Sequence, residues 1–318
     1  MDDVLVVGGG PAGLTAALYL ARYRRRVRVV HDQRSRALLA PRAHNVPGFP
    51  CGIAGSELIA RMTEHAERYG ALLQRGRVTA LTARRQGGYD AVLETGERLY
   101  ARGVILATGV DTQTIMLDEG DHDAAVRAGV LRYCPICDGY EQHGAAIAVL
   151  GSDLHGAAEA MFLRQDSEAV TLIPKERVAL TAQQRADLAA SDVAVLERKI
   201  MAIGHARQSI ALTLDGETVP RRYDILYPAL GSRSRTELAE QLGIAPDAEG
   251  GLAASAFGEA LRPGLFAAGD VLTGLDQISV ATGQGAMAAT RLHNWLREQE
   301  HHVMTDQLPV ANGALLRR

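Results

Sequence analysis

The feature that most restricts what this chain can become is a glycine turn set between an apolar strand and a helix at its start. Val4-Leu5-Val6-Val7 breaks into Gly8-Gly9-Gly10-Pro11-Ala12-Gly13, and an alanine- and leucine-rich helical pattern follows to about Arg22. A second strand is expected over residues 27–30. Strand, glycine turn, helix, strand is the opening βαβ unit of a dinucleotide-binding domain. In such a turn Gly8 permits the tight bend, Gly10 lets backbone approach a pyrophosphate, and Gly13 lets the helix lie close to the strand. Pro11 and Ala12 start the helix, whose N-terminus carries partial positive charge that suits phosphate. An acidic residue is expected near the end of the second strand to bind ribose hydroxyls. Asp32 is the preferred candidate, although His31 could hold the strand end and Asp32 could be a solvated turn residue.

The opening pattern returns about 140 residues later, which predicts a second nucleotide-binding fold. Residues 146–150 read as a strand, 151–156 as a glycine-flanked turn, 157–164 as a helix and 170–173 as a strand. Between the two patterns, a helix is expected over 55–69 and antiparallel strands over 78–81, 91–94 and 99–101. A buried strand over 103–107 then runs into Thr108-Gly109. A third strand-to-turn element, Leu265-Phe266-Ala267-Ala268-Gly269-Asp270, precedes a helix over about 282–295. Residues 297–318 form a polar tail without clear periodicity, read as a disordered terminus or as a cover for a cofactor. At 318 residues the chain exceeds the size at which one core usually stops growing, so two domains are expected.

Composition excludes several classes. Aromatic residues are 4% of the chain and the formal net charge is -3, so neither base stacking nor a general grip on phosphate backbones is expected. The basic run Arg22-Tyr23-Arg24-Arg25-Arg26 falls where the first helix should end and complements its dipole. There is no signal-peptide pattern and no apolar run long enough to span a bilayer, so a cytoplasmic protein without a membrane partner is expected.

The cysteines point to redox chemistry. Of three, Cys51, Cys134 and Cys137, the last two form a C-x-x-C with Asp138-Gly139 directly after it. Two thiols at this spacing can close a small disulfide ring, and the thiolate is the attacking form. Pro135 stiffens the ring, and the adjacent carboxylate can move the proton that thiol–disulfide exchange requires. A structural zinc site would need four ligands, and no second pair at ligand spacing is present, so no metal is expected. Cys51 has no partner in the sequence and is read as a structural or incidental thiol.

Gly8-Gly9-Gly10-Pro11-Ala12-Gly13, Ala107-Thr108-Gly109, Cys134-Pro-Ile-Cys137-Asp138-Gly139 and Gly264-Leu-Phe-Ala-Ala-Gly269-Asp270 occur in one order. Together they resemble the low-molecular-weight thioredoxin reductase family over nearly the whole chain. His44-Asn45-Val46-Pro47-Gly48 matches the family's Asn-x-Pro-Gly segment beside the flavin, and Gln277-Ile278 matches the residues after its C-terminal Gly-Asp. The resemblance implies an α/β fold of two Rossmann-like, three-layer ββα domains, the second inserted in the first. An FAD domain would comprise 1–112 and 245–318, and an inserted NAD(P)-binding-like domain carrying the CxxC would span 113–244. It further implies FAD contacts from Gly8, Gly10, Pro11, Ala12, Gly13, Asp32, Asn45, Ala107, Thr108, Gly109, Gly269, Gln277 and Ile278. Asp270 would meet the ribityl or pyrophosphate part and Val78 would touch adenine through its backbone. Cys137 would face the flavin, Cys134 would exchange with the substrate, and Asp138 would be the acid/base. A homodimer is implied as well.

Two departures from that family bear on the electron donor. Its second turn reads Gly-x-Gly-x-x-Ala, whereas this chain has Gly151-Ser152-Asp153-Leu154-His155-Gly156. Asp153 adds bulk where backbone should approach pyrophosphate and negative charge where phosphate should sit. The family's His-Arg-Arg segment, which reads the 2′-phosphate of NADPH, is here Pro174-Lys175-Glu176-Arg177. Lysine does not reproduce arginine's bidentate fork, and Glu176 opposes phosphate. NADPH is therefore expected to bind poorly or not at all, leaving a ferredoxin-like protein or molecular oxygen to exchange electrons with the flavin. The expected activity is two-electron transfer between FAD and a thioredoxin-like protein or a small disulfide or dithiol. The alternatives are an oxygen-dependent dithiol oxidase and a noncatalytic flavin redox sensor.

Overall fold

The structure, a computed structural model, describes residues 2–115, 117, 119–175, 179–253 and 261–304. Contacts divide the chain into two compact units. One holds the residues up to Ser35, Ile59–Val110 and the described residues from Ser234 onward. The other holds Arg36–Leu58 and the described residues of Asp111–Arg233.

A seven-stranded sheet frames the first unit. Strands Leu72–Arg75, Val27–His31, Asp2–Val7 and Arg98–Leu106 lie side by side in parallel. The long strand Arg98–Leu106 changes partner on its other edge. Its first half pairs antiparallel with Tyr89–Leu93, and its second half pairs in parallel with Leu265–Ala267. Val78–Ala83 completes the antiparallel meander. Alternate residues of the central strands face two cores. Val4, Val6, Val29 and Ile105 are buried beneath helices Pro11–Arg22 and Ile278–Gln299, while Leu5, Val7, Val30, Val104 and Leu106 are buried against the meander. A strand covered on both faces has to be apolar throughout, which is why Val4-Leu5-Val6-Val7 reads as an unbroken run. The two helices meet at backbone distance: a Cβ on Gly285 would lie 2.3 Å from the Ala12 carbonyl oxygen.

The second unit repeats the architecture on a smaller scale. Strands Ala194–Val195, Val170–Ile173, Ile147–Leu150 and Ile225–Pro228 make a parallel sheet. Helix Leu154–Leu163 buries Ala157, Ala160 and Leu163 on one face of it. Ile210, Leu212 and Leu214 of an antiparallel three-stranded layer cover the other face. The α/β class with two three-layer ββα units is as expected from the sequence.

Several boundaries differ from the sequence-based expectation. The separate strands expected over 99–101 and 103–107 are one strand, Arg98–Leu106, whose two halves serve different neighbours. The last helix is longer at both ends, Ile278–Gln299, and helices Glu119–Ala128 and Ala182–Ala190 were not foreseen. The compact units also divide the chain elsewhere than at 112 and 245. Residues 36–58 fold onto themselves through reciprocal bonds between Ala43 and Ile53, and the His44 amide donates to the Cys137 carbonyl at 2.9 Å. Residues 234–244 bury Leu238, Ala239 and Leu242 in the first unit's core. No described helix is long and apolar enough to cross a membrane.

Candidate active site

The first unit brings most of the sequence-predicted cofactor residues together. Gly8 adopts φ 117°, a conformation that side-chain-bearing residues rarely take. A Cβ there would meet the Ala107 carbonyl oxygen at 2.0 Å, and a Cβ on Gly13 would meet the Gly8 carbonyl oxygen at 2.0 Å. These two glycines close strand, turn and helix upon one another. Gly10 is different: its Cβ would meet no backbone, only the Ser35 side chain, whose hydroxyl lies at 3.2 Å. Pro11 and Ala12 begin the helix, and its first amides are left without a capping side chain from Gly10. That is a cradle in which phosphate oxygens can be held by backbone N–H groups. Gly269, at φ 82°, lies over the same helical turn, where its Cβ would come within 2.8 Å of the Ala12 Cβ. Asp270 follows it, and Gln277 and Ile278 start the last helix.

Beside this turn a cavity of about 280 Å³ is lined by Gly8, His31, Asp32, Val78, Thr108 and Arg235, among others. Burial lowers the pKa of the His31 imidazole, with the neighbouring Asp32 carboxylate acting against that fall. The Asp32 carboxylate faces the Arg235 guanidinium at 3.6 Å. Thr108 donates its hydroxyl to the Arg235 carbonyl at 2.7 Å, and the Arg235 amide donates to the Gly109 carbonyl at 2.9 Å. Ala107 is tied to Val7 by its amide. The uncapped helix start and the neighbouring cavity therefore fit a dinucleotide such as FAD. Arg235 was missed by sequence reasoning, since it lies far along the chain and no motif marks it. Gly285 was missed as well, although a glycine inside a helix is a signal of close packing.

Asn45 belongs to the second unit, where its side-chain amide donates to the Ile136 carbonyl at 3.2 Å. It thus supports the loop that carries the cysteines.

Cys134 and Cys137 are joined as a disulfide. The loop is positioned by the sheet. The amide of Arg132 donates to Leu226 and the amide of Leu226 to Val130, so residues 130–132 extend the parallel sheet directly before Cys134. Pro135–Asp138 then makes one helical turn, with the Cys137 amide on the Cys134 carbonyl and the Gly139 amide on the Pro135 carbonyl. A Cβ on Gly139 would lie 2.6 Å from the Pro135 carbonyl oxygen, so this turn requires glycine after Asp138. Cys134 is half-buried and Cys137 is buried. Ile136 and Tyr140, on either side, are exposed. Cys51 is an exposed free thiol.

Asp138 is 2% exposed. Burial raises its pKa, while the Arg132 guanidinium and the Tyr227 hydroxyl act against that rise. Burial, and then the carboxylate beside it, pushes the Tyr227 phenol well above its usual range, so it remains a donor. Neither partner was foreseen, because Tyr227 is 89 positions away in sequence and Arg132 reads as an ordinary strand-edge charge.

The second nucleotide turn keeps two of its three small residues in working contact. The Cβ positions of Gly151 and Gly156 would each lie 2.7 Å from the other's Cα. At the middle position Asp153 caps helix Leu154–Leu163, accepting from the amides of His155 at 3.0 Å and Gly156 at 3.2 Å. Those are the amides a pyrophosphate would need. The Ala179 amide bonds the Ser152 carbonyl at 2.8 Å and brings the following loop onto the turn. Lys175 is exposed, whereas Glu176 and Arg177 lie outside the described residues, as do 305–318 of the tail. Asp153→Ala should cost about 1 kcal/mol in stability, the usual worth of an N-cap, read as a lower Tm of the purified protein. An unchanged Tm would mean that the cap carries no load.

Paired ββα units with a glycine cradle in one and a disulfide beside a buried acid in the other define a flavin-dependent disulfide oxidoreductase of the thioredoxin reductase type. The chain belongs to the pyridine nucleotide-disulphide oxidoreductase family, whose model matches residues 2–285. It is 29% identical over 316 residues to a thioredoxin reductase of Bacillus subtilis, covering 95% of this chain and 97% of that one. An oxidoreductase structure from Agrobacterium tumefaciens is 29% identical with a TM-score of 0.76, over 93% of this chain and 98% of that one. The thioredoxin reductase structure from Streptococcus pyogenes superposes with a TM-score of 0.83 at 24% identity, over 93% and 98% of the two chains, a likeness of fold.

Proposed function

We propose that this protein passes two electrons between FAD and a disulfide or dithiol substrate through Cys134 and Cys137, with little or no use of NADPH. In this reading Gly8, Gly10, Pro11, Ala12, Gly13, Asp32, Asn45, Val78, Ala107, Thr108, Gly109, Gly269, Asp270, Gln277 and Ile278 hold FAD, which supplies a two-electron store when bound. Cys134 exchanges with substrate, in keeping with its greater exposure, and Cys137 is the sulfur turned toward the flavin. Asp138 moves the proton. The observation that carries the reading is Asp153, whose carboxylate takes the two helix-terminal amides of the second nucleotide turn. A pyrophosphate would have to displace it against like charge.

The relatives' names point to a thioredoxin-like protein as the disulfide partner, and the exposed Ile136 and Tyr140 beside the pair suit an apolar protein contact. A homodimer and a cytoplasmic setting belong to the same reading, as does a ferredoxin-like donor if the enzyme runs as a reductase. A second direction, oxidation of dithiols with oxygen as the final acceptor, would use the same flavin and the same cysteine pair.

Anaerobic titration of the purified flavoprotein, followed by visible absorbance, tests the donor. Dithiothreitol should bleach the flavin, and a stoichiometric amount of NADPH or NADH should leave it oxidised. Rapid bleaching by stoichiometric NADPH would remove the role given to Asp153.

A further inference from the structure

The side chains that hold Asp138 lie outside the CxxC motif and have no part in the reading above. Arg132 donates from its guanidinium to Asp138 Oδ2 at 2.6 Å, and the Tyr227 hydroxyl donates to Oδ1 at 2.7 Å. Arg132 is itself anchored, its Nε donating to the Gly129 carbonyl at 2.8 Å. Tyr227 is fully buried on strand Ile225–Pro228, and the Asp138 carbonyl accepts from the Gln142 side chain at 2.8 Å. Both carboxylate oxygens therefore accept, which is the bonding of an ionised acid.

We infer that Arg132 and Tyr227 are positioning residues that keep Asp138 as a carboxylate beside the disulfide, so that the oxidised enzyme is poised to take the proton of an incoming dithiol. The inference rests on the reading of Asp138 as the acid/base and deepens it toward a direction of reaction. With the disulfide closed, the two directions make opposite demands. Electrons arriving from flavin produce cysteine thiolates that need an acid. A substrate dithiol attacking the disulfide needs a base.

The second case balances with the groups present. The first substrate thiol gives its proton to Asp138 and its sulfur attacks Cys134 Sγ. The Cys134–Cys137 bond breaks and Cys137 leaves as thiolate. The second substrate thiol attacks the mixed disulfide and displaces Cys134, which takes that thiol's proton. The substrate is oxidised to a disulfide, the pair is reduced by two electrons, and one negative charge has moved from Asp138 to Cys137.

Burial adds to the geometry, since it raises the pKa of Asp138 and so makes its carboxylate a stronger base, while the two donors act against that rise. The other charged group acting on Asp138 is Glu141, just after its own turn, and Tyr227 also feels Glu159 on helix Leu154–Leu163, which burial pushes up to about 7. His44 faces Glu141 at 3.4 Å, and Asp166 lies beside Gly139.

The test is the pH dependence of the reaction of the flavin-loaded enzyme with dithiothreitol in single turnover without oxygen. Flavin bleaching is followed together with acid-quenched alkylation of the opened cysteines. In the parent, the rate should rise with pH along a limb set by Asp138, apart from the dithiol's own ionisation, which all variants share. Asp138→Asn should abolish that limb. Tyr227→Phe removes one donor to the ionised form with almost no change in volume. It should move the limb upward by about one pH unit, a tenfold slower rate below it. Arg132→Met should move it further, and Arg132→Lys should bring it part of the way back. A limb unmoved in both Tyr227→Phe and Arg132→Met, but lost in Asp138→Asn, overturns the positioning role alone. A limb that survives Asp138→Asn overturns the acid/base reading on which it rests.

Discussion

Cys137→Ser should give a protein that stays yellow and does not turn over. A serine hydroxyl cannot close a disulfide with Cys134, so the electron pair has no route between substrate sulfur and flavin. The loss expected on removing such a reacting group is about 10⁴-fold or more in kcat. The flavin should remain, because the glycine cradle and the cavity beside Asp32 belong to the other compact unit. The loop should keep its shape too, since its bonds run through backbone: the His44 amide on the Cys137 carbonyl and the Cys137 amide on the Cys134 carbonyl. Cys134→Ser should behave likewise, except that its remaining sulfur is the buried one. Flavin-to-protein absorbance ratios and turnover with dithiothreitol check both statements. A variant within tenfold of the parent would leave the CxxC without a role.

Gly8→Ala should purify without flavin. The added Cβ would lie 2.0 Å from the Ala107 carbonyl oxygen, a backbone atom that cannot swing away, and φ 117° is strained for alanine in any case. The strand Asp2–Val7 or the strand Arg98–Leu106 must shift, and with it the turn from which helix Pro11–Arg22 starts. A cost of about 3–5 kcal/mol is in the range of the largest single-residue effects. Flavin occupancy should fall to a small fraction of the parent's. Gly96→Ala supplies the control: its φ is also positive, at 86°, but a Cβ there meets nothing within 4 Å. It should cost about 1 kcal/mol and keep the flavin. Equal flavin content in the two variants would show that the Gly8 contact does not shape the cradle.

The comparison of these glycines shows what could be read in one dimension. Gly8 and Gly13 are legible because a strand ends and a helix begins around them, so the steric demand is local. The disulfide is legible for the same reason, with three positions and one turn between its sulfurs. Strand ends were less so. Nothing in residues 99–107 announces that one strand exchanges an antiparallel neighbour for a parallel one at its middle. Asn45 illustrates a further limit: no local pattern announces that its side-chain amide bonds the Ile136 carbonyl in the cysteine loop.

Sequence by itself determined the two strand–turn–helix openings, the reactive pair with its neighbouring acid, and the replacement of a turn glycine by Asp153. Each is a matter of sterics or chemistry among residues a few positions apart. Only the tertiary structure decided that Asp153 caps its own helix, that Arg235 faces Asp32, and that Arg132 and Tyr227 grip Asp138. Hydrogen bonds between groups brought together by sheet register depend on where whole strands lie, and no local pattern encodes that.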